Sequence, residues 1–340
     1  MTEADFLQGG GENGARMRAI DWSQTALGPP VDWPQSLRTC IRIILTSRQP
    51  MFVWWGEQLI NLYNDAYKTI VGGKHPWALG APAPEVWREI WDEVGPRAAM
   101  AMQSNEGTYD EALLLIMERY GYPEETYYTF SYSPVPNDEG GTGGIICANT
   151  DDTQRIIGER QLATLRELAA GTADTRTVEA ACAGSVEALR TNPRDLPFAM
   201  LYLVDRNLNR VTLAGSAGIA KDHPAAPLTS SVDDSPWPIE AVLRAQKPTL
   251  VRDLYGFFEN LPTGAWERPP HSAVVHPIAI SARQSAVLIL GLNPFRLYDD
   301  DFSRFIELVS SQIAASLANA QAYEDERRRA ESLAELDRAK

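Results

Sequence analysis

The most regular run of apolar positions in the chain lies near its end. Phe302, Phe305, Ile306, Val309, Ile313, Leu317, Ala320 and Tyr323 recur at helical spacing behind Asp299, Asp300 and Asp301. Those three aspartates suit the free amides and the positive dipole end of a helix start. After Tyr323 the apolar stripe thins. Glu324 with Arg328, and Asp325 with Arg329, then stand four apart in the favourable order for ion pairs. With no Gly or Pro to interrupt it, the stretch predicts one helix over 299–340, whose part from 323 to 340 leaves its domain as a coiled-coil signalling helix.

Upstream, the pattern predicts two α+β domains. Residues 51–55 read as a buried strand, and a turn at Gly56-Glu57 leads to a second strand over 59–63, a hairpin. Asn64 or Asp65 caps a short helix carrying Ala66, Tyr67, Ile70 and Val71. A longer helix presents Val86, Trp87, Ile90, Trp91 and Val94 on one face, and three strands follow over 109–120, 125–134 and 143–148. A linker helix over 154–172 carries Ile156, Ile157, Leu162, Leu165 and Leu168, and is expected to pair with its copy in a second subunit. The second domain, 173–322, reads as a helix, strands at 198–204 and 210–217 about a turn at 205–209, a helix through Ile239 and Val242, and a strand at 247–252. A loop over 255–270, read as a lid or a packed surface excursion, precedes a hairpin of 273–281 with 285–292. The expected fold class is therefore α+β: two tandem domains, each an antiparallel sheet with flanking helices, joined and exited by long helices. Residues 1–15, polar and glycine-rich, read as a disordered leader, which leaves 16–153 for the first domain.

Composition narrows the function. The 340 residues are 44% hydrophobic and 22% charged, with a net charge of −14, which argues against a nucleic-acid partner. No apolar run approaches the ~18 residues of a membrane span. The three cysteines, Cys40, Cys147 and Cys182, lie far apart without metal-ligand spacing, as suits a reducing compartment, the cytoplasm. No nucleophile elbow, phosphate loop or His-Glu-x-x-His motif occurs, and no catalytic residue is named.

Specific stretches carry a resemblance. Ala26-Leu-Gly-Pro-Pro, Trp33-Pro-Gln-Ser-Leu37, Phe52-Val-Trp-Trp-Gly56, Tyr63-Asn-Asp-Ala-Tyr67, Lys74-His-Pro76 and Glu125-Thr-Tyr-Tyr-Thr-Phe-Ser-Tyr-Ser-Pro134 resemble a PAS domain of the kind that opens many bacterial sensor histidine kinases. Asp151-Asp152-Thr153 resembles the junction by which such domains hand over to the next helix. Val274-Val-His-Pro-Ile278, Ala286-Val-Leu-Ile-Leu-Gly-Leu292, Tyr298-Asp-Asp-Asp-Phe302 and Gln312-Ile-Ala-Ala-Ser-Leu-Ala-Asn319 resemble a GAF domain, which shares the sheet-and-helix plan. Ser332-Leu-Ala-Glu-Leu-Asp-Arg-Ala-Lys340 looks like the connector into a phospho-accepting helix. The resemblance implies the sensory and dimerisation module of a two-component kinase. Its parent protein would autophosphorylate on histidine with ATP, while this chain does no chemistry. A phosphatase or cyclase output, or a ligand-free dimerisation scaffold, are the other readings.

PAS domains variously hold haem, flavin, small acids or nothing, so no cofactor is assigned. The candidate small-molecule pocket comprises Trp54, Tyr63, Asn64, Trp87 and Trp91, the tryptophans serving equally as core between sheet and helix. His75, between Lys74 and Pro76, reads as a hydrogen-bonded structural residue before an axial haem ligand, and Cys147 as a small hydrophobe in an apolar strand. The motif of flavin-binding light sensors is missing, and Cys182 has no adjacent His for bilin attachment. The cluster at Asp299–Asp301 reads as a helix cap before a cation site.

Overall fold

The computed structural model describes residues 5–205, 209–281 and 284–338. Two compact units divide at Ile156/Ile157. The first opens with a 3-10 turn, Asp5–Leu7, and helix α1 (Gly11–Ala19), then α2 (Gln35–Thr46), and the hairpin β1 (Met51–Trp55) and β2 (Ile60–Tyr63). Short helices α3 (Lys68–Val71) and α4 (Ala83–Val86) and the longer α5 (Trp91–Ser104) follow. Strands β3 (Asp110–Met117), β4 (Glu124–Pro136) and β5 (Thr142–Asp151) complete an antiparallel sheet in the order β2-β1-β5-β4-β3. The alternation Phe52-in, Val53-out, Trp54-in sends one set of β1 side chains toward the helices, since successive strand residues face opposite sides.

The expected leader is ordered from Asp5 onward; residues 1–4 lie outside the described residues. Phe6, Leu7 and Met17 are buried. No local signal announced α1, because its N-cap is Gly10, which has no side chain to offer. The cap comes from a distance: the Asp65 carboxylate accepts the Glu12 and Asn13 amides at 2.9 and 2.8 Å. Asp65 therefore caps α1, and Asn64 caps the turn at Asp65–Tyr67 through the Tyr67 amide. Helix α2 also went unread, although Leu37, Cys40, Ile41, Ile44 and Leu45 recur at helical spacing and are all buried.

The longer helix expected to carry Val86 through Val94 on one face is broken. Backbone angles at Trp87 (φ −113°) and Ile90 (φ −122°) leave the helix between α4 and α5. Trp91 opens α5 and lies over Gly95, where a Cβ would sit 2.8 Å from its ring.

The division between units falls within helix α6 (Thr153–Thr172). The second unit continues with α7 (Val178–Arg190), β6 (Phe198–Asp205), β7 (Arg210–Ala217), β8 (Thr229–Ser231), α8 (Ile239–Ala245), β9 (Thr249–Val251), β10 (Ala273–Ala279), β11 (Ser285–Gly291) and α9 (Asp300–Arg338). Its sheet runs β8-β7-β6-β11-β10-β9, antiparallel throughout the described pairs. Most of the turn expected at 205–209, the tip of the 273–292 hairpin and the end of the last helix lie outside the described residues. Strand β8, three residues pairing with β7, carries too few positions to show a period. The loop over 255–270 is packed: Phe258, Leu261 and Trp266 are buried, and Trp266 Nε1 donates to the Arg194 carbonyl at 2.8 Å.

Helix α9 is anchored and then released. Asp299 caps it through the Phe302 amide at 2.8 Å, and Phe302, Phe305, Ile306, Val309, Ile313, Leu317 and Ala320 are buried. Glu324 Oε1 accepts the Val178 amide at the start of α7 at 2.9 Å, while its Oε2 pairs with Arg328. The expected Asp325–Arg329 pair is replaced by Gln321 and Arg328 acting on Asp325. Every described residue from 326 on is exposed.

A buried polar cluster fixes α6 in the second unit. Arg160 reaches the fully buried Asp195 carboxylate with two nitrogens, at 2.6 and 3.0 Å, and Asn192 Nδ2 bridges Asp195 and Thr164. Asp195→Ala leaves the Arg160 charge without its partner, an expected loss of about 3–5 kcal/mol in chemical denaturation. Glu187→Ala at the exposed Arg190 pair is expected to cost less than about 1 kcal/mol. Burial also holds the His271 and His276 imidazoles below their usual 6.5. Depressed in the fold, they contribute stability that is complete above the unfolded value and lost as pH falls below it. The urea midpoint is expected to be lower at pH 5.5 than at 7.5, and a His271→Gln, His276→Gln double variant is expected to flatten that dependence.

Candidate functional site

The first unit encloses a cavity of about 30 Å³ between its sheet and its short helices, room for roughly one water. The sheet wall is built by alternation: Phe52 and Trp54 from β1, Tyr128, Phe130 and Tyr132 from β4, Leu115 and Met117 from β3, and Asn149 from β5. The facing wall is Tyr67 and Ile70, then Trp87, Ile90 and Val94 from the broken helix. No Asp, Glu, Lys, Arg or His lines it.

The rings interlock. Phe52 stacks on Trp54 with centroids 4.6 Å apart, Trp54 meets Tyr132 at 5.3 Å and Tyr132 meets Phe130 at 5.0 Å. Such offset and tilted pairs add to what area burial alone supplies. Burial pushes the Tyr67, Tyr128 and Tyr132 hydroxyls upward, so the wall stays un-ionised at neutral pH.

Polar satisfaction on this wall is incomplete. Trp54 Nε1 donates to Asn61 Oδ1 at 3.0 Å, and Asn61 donates onward to the Ala78 carbonyl. Trp87 Nε1 and Asn149 Nδ2, by contrast, are buried donors without a hydrogen-bond partner. The Asn149 amide has only the Cys147 thiol as its neighbour, where it opposes the upward push of burial on that thiol; sulfur is a weak acceptor and leaves the donor poorly satisfied. Two unpaired buried donors are costly unless something fills the space between these walls.

Outside the cavity, Lys74 holds the helix break. Its Nζ sits 4.5 Å above the Trp87 ring and bonds the Val86 carbonyl at 2.6 Å and Glu89 Oε1 at 2.5 Å. Shallow grooves of about 430 Å³ occur in each unit, one beside Trp77, Tyr120 and this Lys74–Glu89 pair, the other beside Arg190, Pro193 and Gly264. Neither has the closed apolar lining of the aromatic cavity.

Of the residues named from sequence, Trp54 and Trp87 line the cavity; Tyr63, Asn64 and Trp91 do not. Trp91 packs behind Trp54, ring centroids 5.7 Å apart. Tyr63 is buried and its hydroxyl meets His75 Nδ1 at 2.8 Å, while His75 Nε2 meets Glu12 at 3.1 Å. Both His75 nitrogens are thus engaged, and neither is presented to a haem iron. Asn64 Nδ2 bonds the Ile44, Ser47 and Gln49 carbonyls, and its Oδ1 accepts the Met51 and Tyr67 amides. The lining aromatics of β4 were visible as strand residues in a one-in, one-out alternation; Asn149 gave no signal. No group of three His, Cys, Asp or Glu fit to hold a metal occurs among the described residues, and no described helix is long and apolar enough to cross a membrane.

No protein-family model and no curated protein matches the chain. Among solved structures, the chain is similar to the GAF domain of a phosphoenolpyruvate-protein phosphotransferase from Coxiella burnetii, at 18% identity over 49% of this chain and 98% of that one, TM-score 0.38. It is also similar to the phycoerythrobilin-bound GAF domain of a cyanobacterial phytochrome, at 18% identity over 48% and 96%, TM-score 0.36. A segment of a methyl-accepting chemotaxis protein matches at 15% identity over 47% and 98%, TM-score 0.36.

Tyr63→Phe is expected to cost about 1 kcal/mol of stability through the lost His75 bond. Asn64→Ala, which removes five side-chain bonds to backbone groups, is expected to cost about 3 kcal/mol. In both variants the emission spectrum of the cavity tryptophans is expected to stay unchanged under native conditions, since neither residue lines the cavity.

Proposed function

We propose that this chain is the sensory input and dimerisation module of a cytoplasmic two-component sensor histidine kinase, its first unit PAS-like and its second GAF-like. The wiring of the sheets supports the pairing of families that the sequence resembles. Each unit sets its first strand beside its last at the centre of the sheet, β1 with β5 and β6 with β11. The junction after β5 is also built as a defined turn. Thr153 donates its amide to Asp151, and Asp152 accepts from Thr129 at 2.5 Å and from Arg155 at 2.8 Å.

The observation that carries the reading is α9, whose 39 residues begin on the core of the second unit and finish on none. Leu333 and Leu336 stand 67% and 63% exposed on a segment held only by ion pairs along itself, Arg328 with Glu324 and Arg327 with Glu331. Exposed single-helix pairs of this kind contribute about 0.3–0.5 kcal/mol each, so a partner helix is what makes such a rod persist. Pairing with the same segment of a second copy supplies it. A ligand with unequal affinity for two packings of the first unit would shift their populations and turn or tilt α6 and α9 within that dimer. This chain then performs no chemistry; its output is a histidine kinase core fed by α9.

Single cysteines placed at Tyr323, Glu326, Leu333 and Leu336 test the reading, the native cysteines being buried. Disulfide crosslinks at a subset with helical periodicity, together with a dimer mass in native mass spectrometry, are expected. A monomer with no crosslink at any of the four positions would overturn it.

A further inference from the structure

We infer that the cavity of the first unit takes an uncharged, planar aromatic molecule bearing a hydrogen-bond acceptor, an aryl ketone or aryl amide, an inference that rests on reading this unit as a ligand-binding sensor. Three features of the wall select that class. Its charge selection comes from what is missing: no cation faces the cavity, so a carboxylate or phosphate would be desolvated with nothing to neutralise it. Its shape selection comes from the rings of Phe52, Trp54 and Tyr132, which offer faces and edges for another flat ring to pack on once a wall moves. Its polarity comes from the two donors that lack acceptors, Trp87 Nε1 and Asn149 Nδ2, on side chains only 2% and 6% exposed.

Size adds a consequence. A volume of about 30 Å³ is smaller than any arene, so entry moves a wall. The break at Trp87–Ile90 is the part of the wall whose backbone lies outside both α4 and α5, clamped from outside by Lys74. Binding therefore displaces Trp87, and the acceptor of the ligand takes up its indole N–H.

The test compares three probes of similar size on the full chain by methyl NMR of Ile70, Ile90, Val94, Leu115 and Met117: acetophenone, ethylbenzene with no acceptor, and benzoate with a charge. Acetophenone is expected to shift these methyls saturably and to bind at least about tenfold more tightly than ethylbenzene, with benzoate not binding. In Trp87→Phe and in Asn149→Leu the preference for acetophenone is expected to shrink to within about threefold while ethylbenzene still binds. Circular dichroism identifies a variant that fails to fold, and the wild-type series decides the question without it. Benzoate binding as tightly as acetophenone, or ethylbenzene equalling it, overturns the ligand class and leaves the sensor reading standing. Silence from all three probes overturns the ligand class, while the α9 crosslinks report on the sensor reading separately.

Discussion

Everything else in each unit hangs on the pairing of a strand from its beginning with a strand from its end. Phe52 faces Cys147 across β1 and β5, and Leu201 faces Leu288 across β6 and β11. Antiparallel neighbours this far apart in sequence close a long loop, and the entropy of that closure must be offset by the central burial the two strands gain. The offset is large here because all residues but the first of each of β1 and β11 are buried. With the centre fixed, both sheet faces remain to be covered, as the unbroken burial of Phe52–Trp55 and Ala286–Gly291 shows, and the strands at the edges are added outward from it.

In the first unit the covering is done by short pieces of helix, and that choice determines the cavity. A continuous helix over 83–104 would present Trp87, Ile90, Trp91 and Val94 as one ridge. Breaking it turns Trp91 onto Gly95 and behind Trp54, and sets Trp87 against Tyr67 with rings 6.3 Å apart. The result is an aromatic interior that is nearly full, neutral, and unfinished in two donors. A core optimised for stability alone would pair those donors or replace them with carbon, since orphaned buried N–H groups are rare. Leaving them open is the kind of local cost that accompanies binding.

The second unit spends its polarity differently. Arg160 is matched against the buried Asp195 and the Thr172 hydroxyl meets that of Ser316 at 2.7 Å, while the buried Ser185 and Ser310 hydroxyls stay unpaired. These bonds tie α6 and the root of α9 to the same body, and Glu324 caps α7 at the point where α9 leaves it. Beyond that residue the helix has no apolar partner of its own.

How much of this was written in the chain depends on distance in sequence. All strands but β8, the linker helix and the cap and buried stripe of α9 rest on local periodicity and on neighbours three or four residues apart, and they were legible for that reason. So were Trp54 and Trp87, because large aromatics in a strand and in a helical stripe must be covered by something. The order of α1, the break at Trp87–Ile90, the Arg160–Asp195 pair and the arrival of Asn149 opposite Trp87 were not. Each joins partners tens of residues apart, where a single Asp, Asn or Lys carries no period. The sequence by itself determined the longer periodic strands and helices and which of their faces were apolar. Only the tertiary structure decided which polar atoms would find partners and which would be left facing a cavity, because hydrogen bonding requires atoms to meet within about 3 Å and no local pattern encodes that meeting.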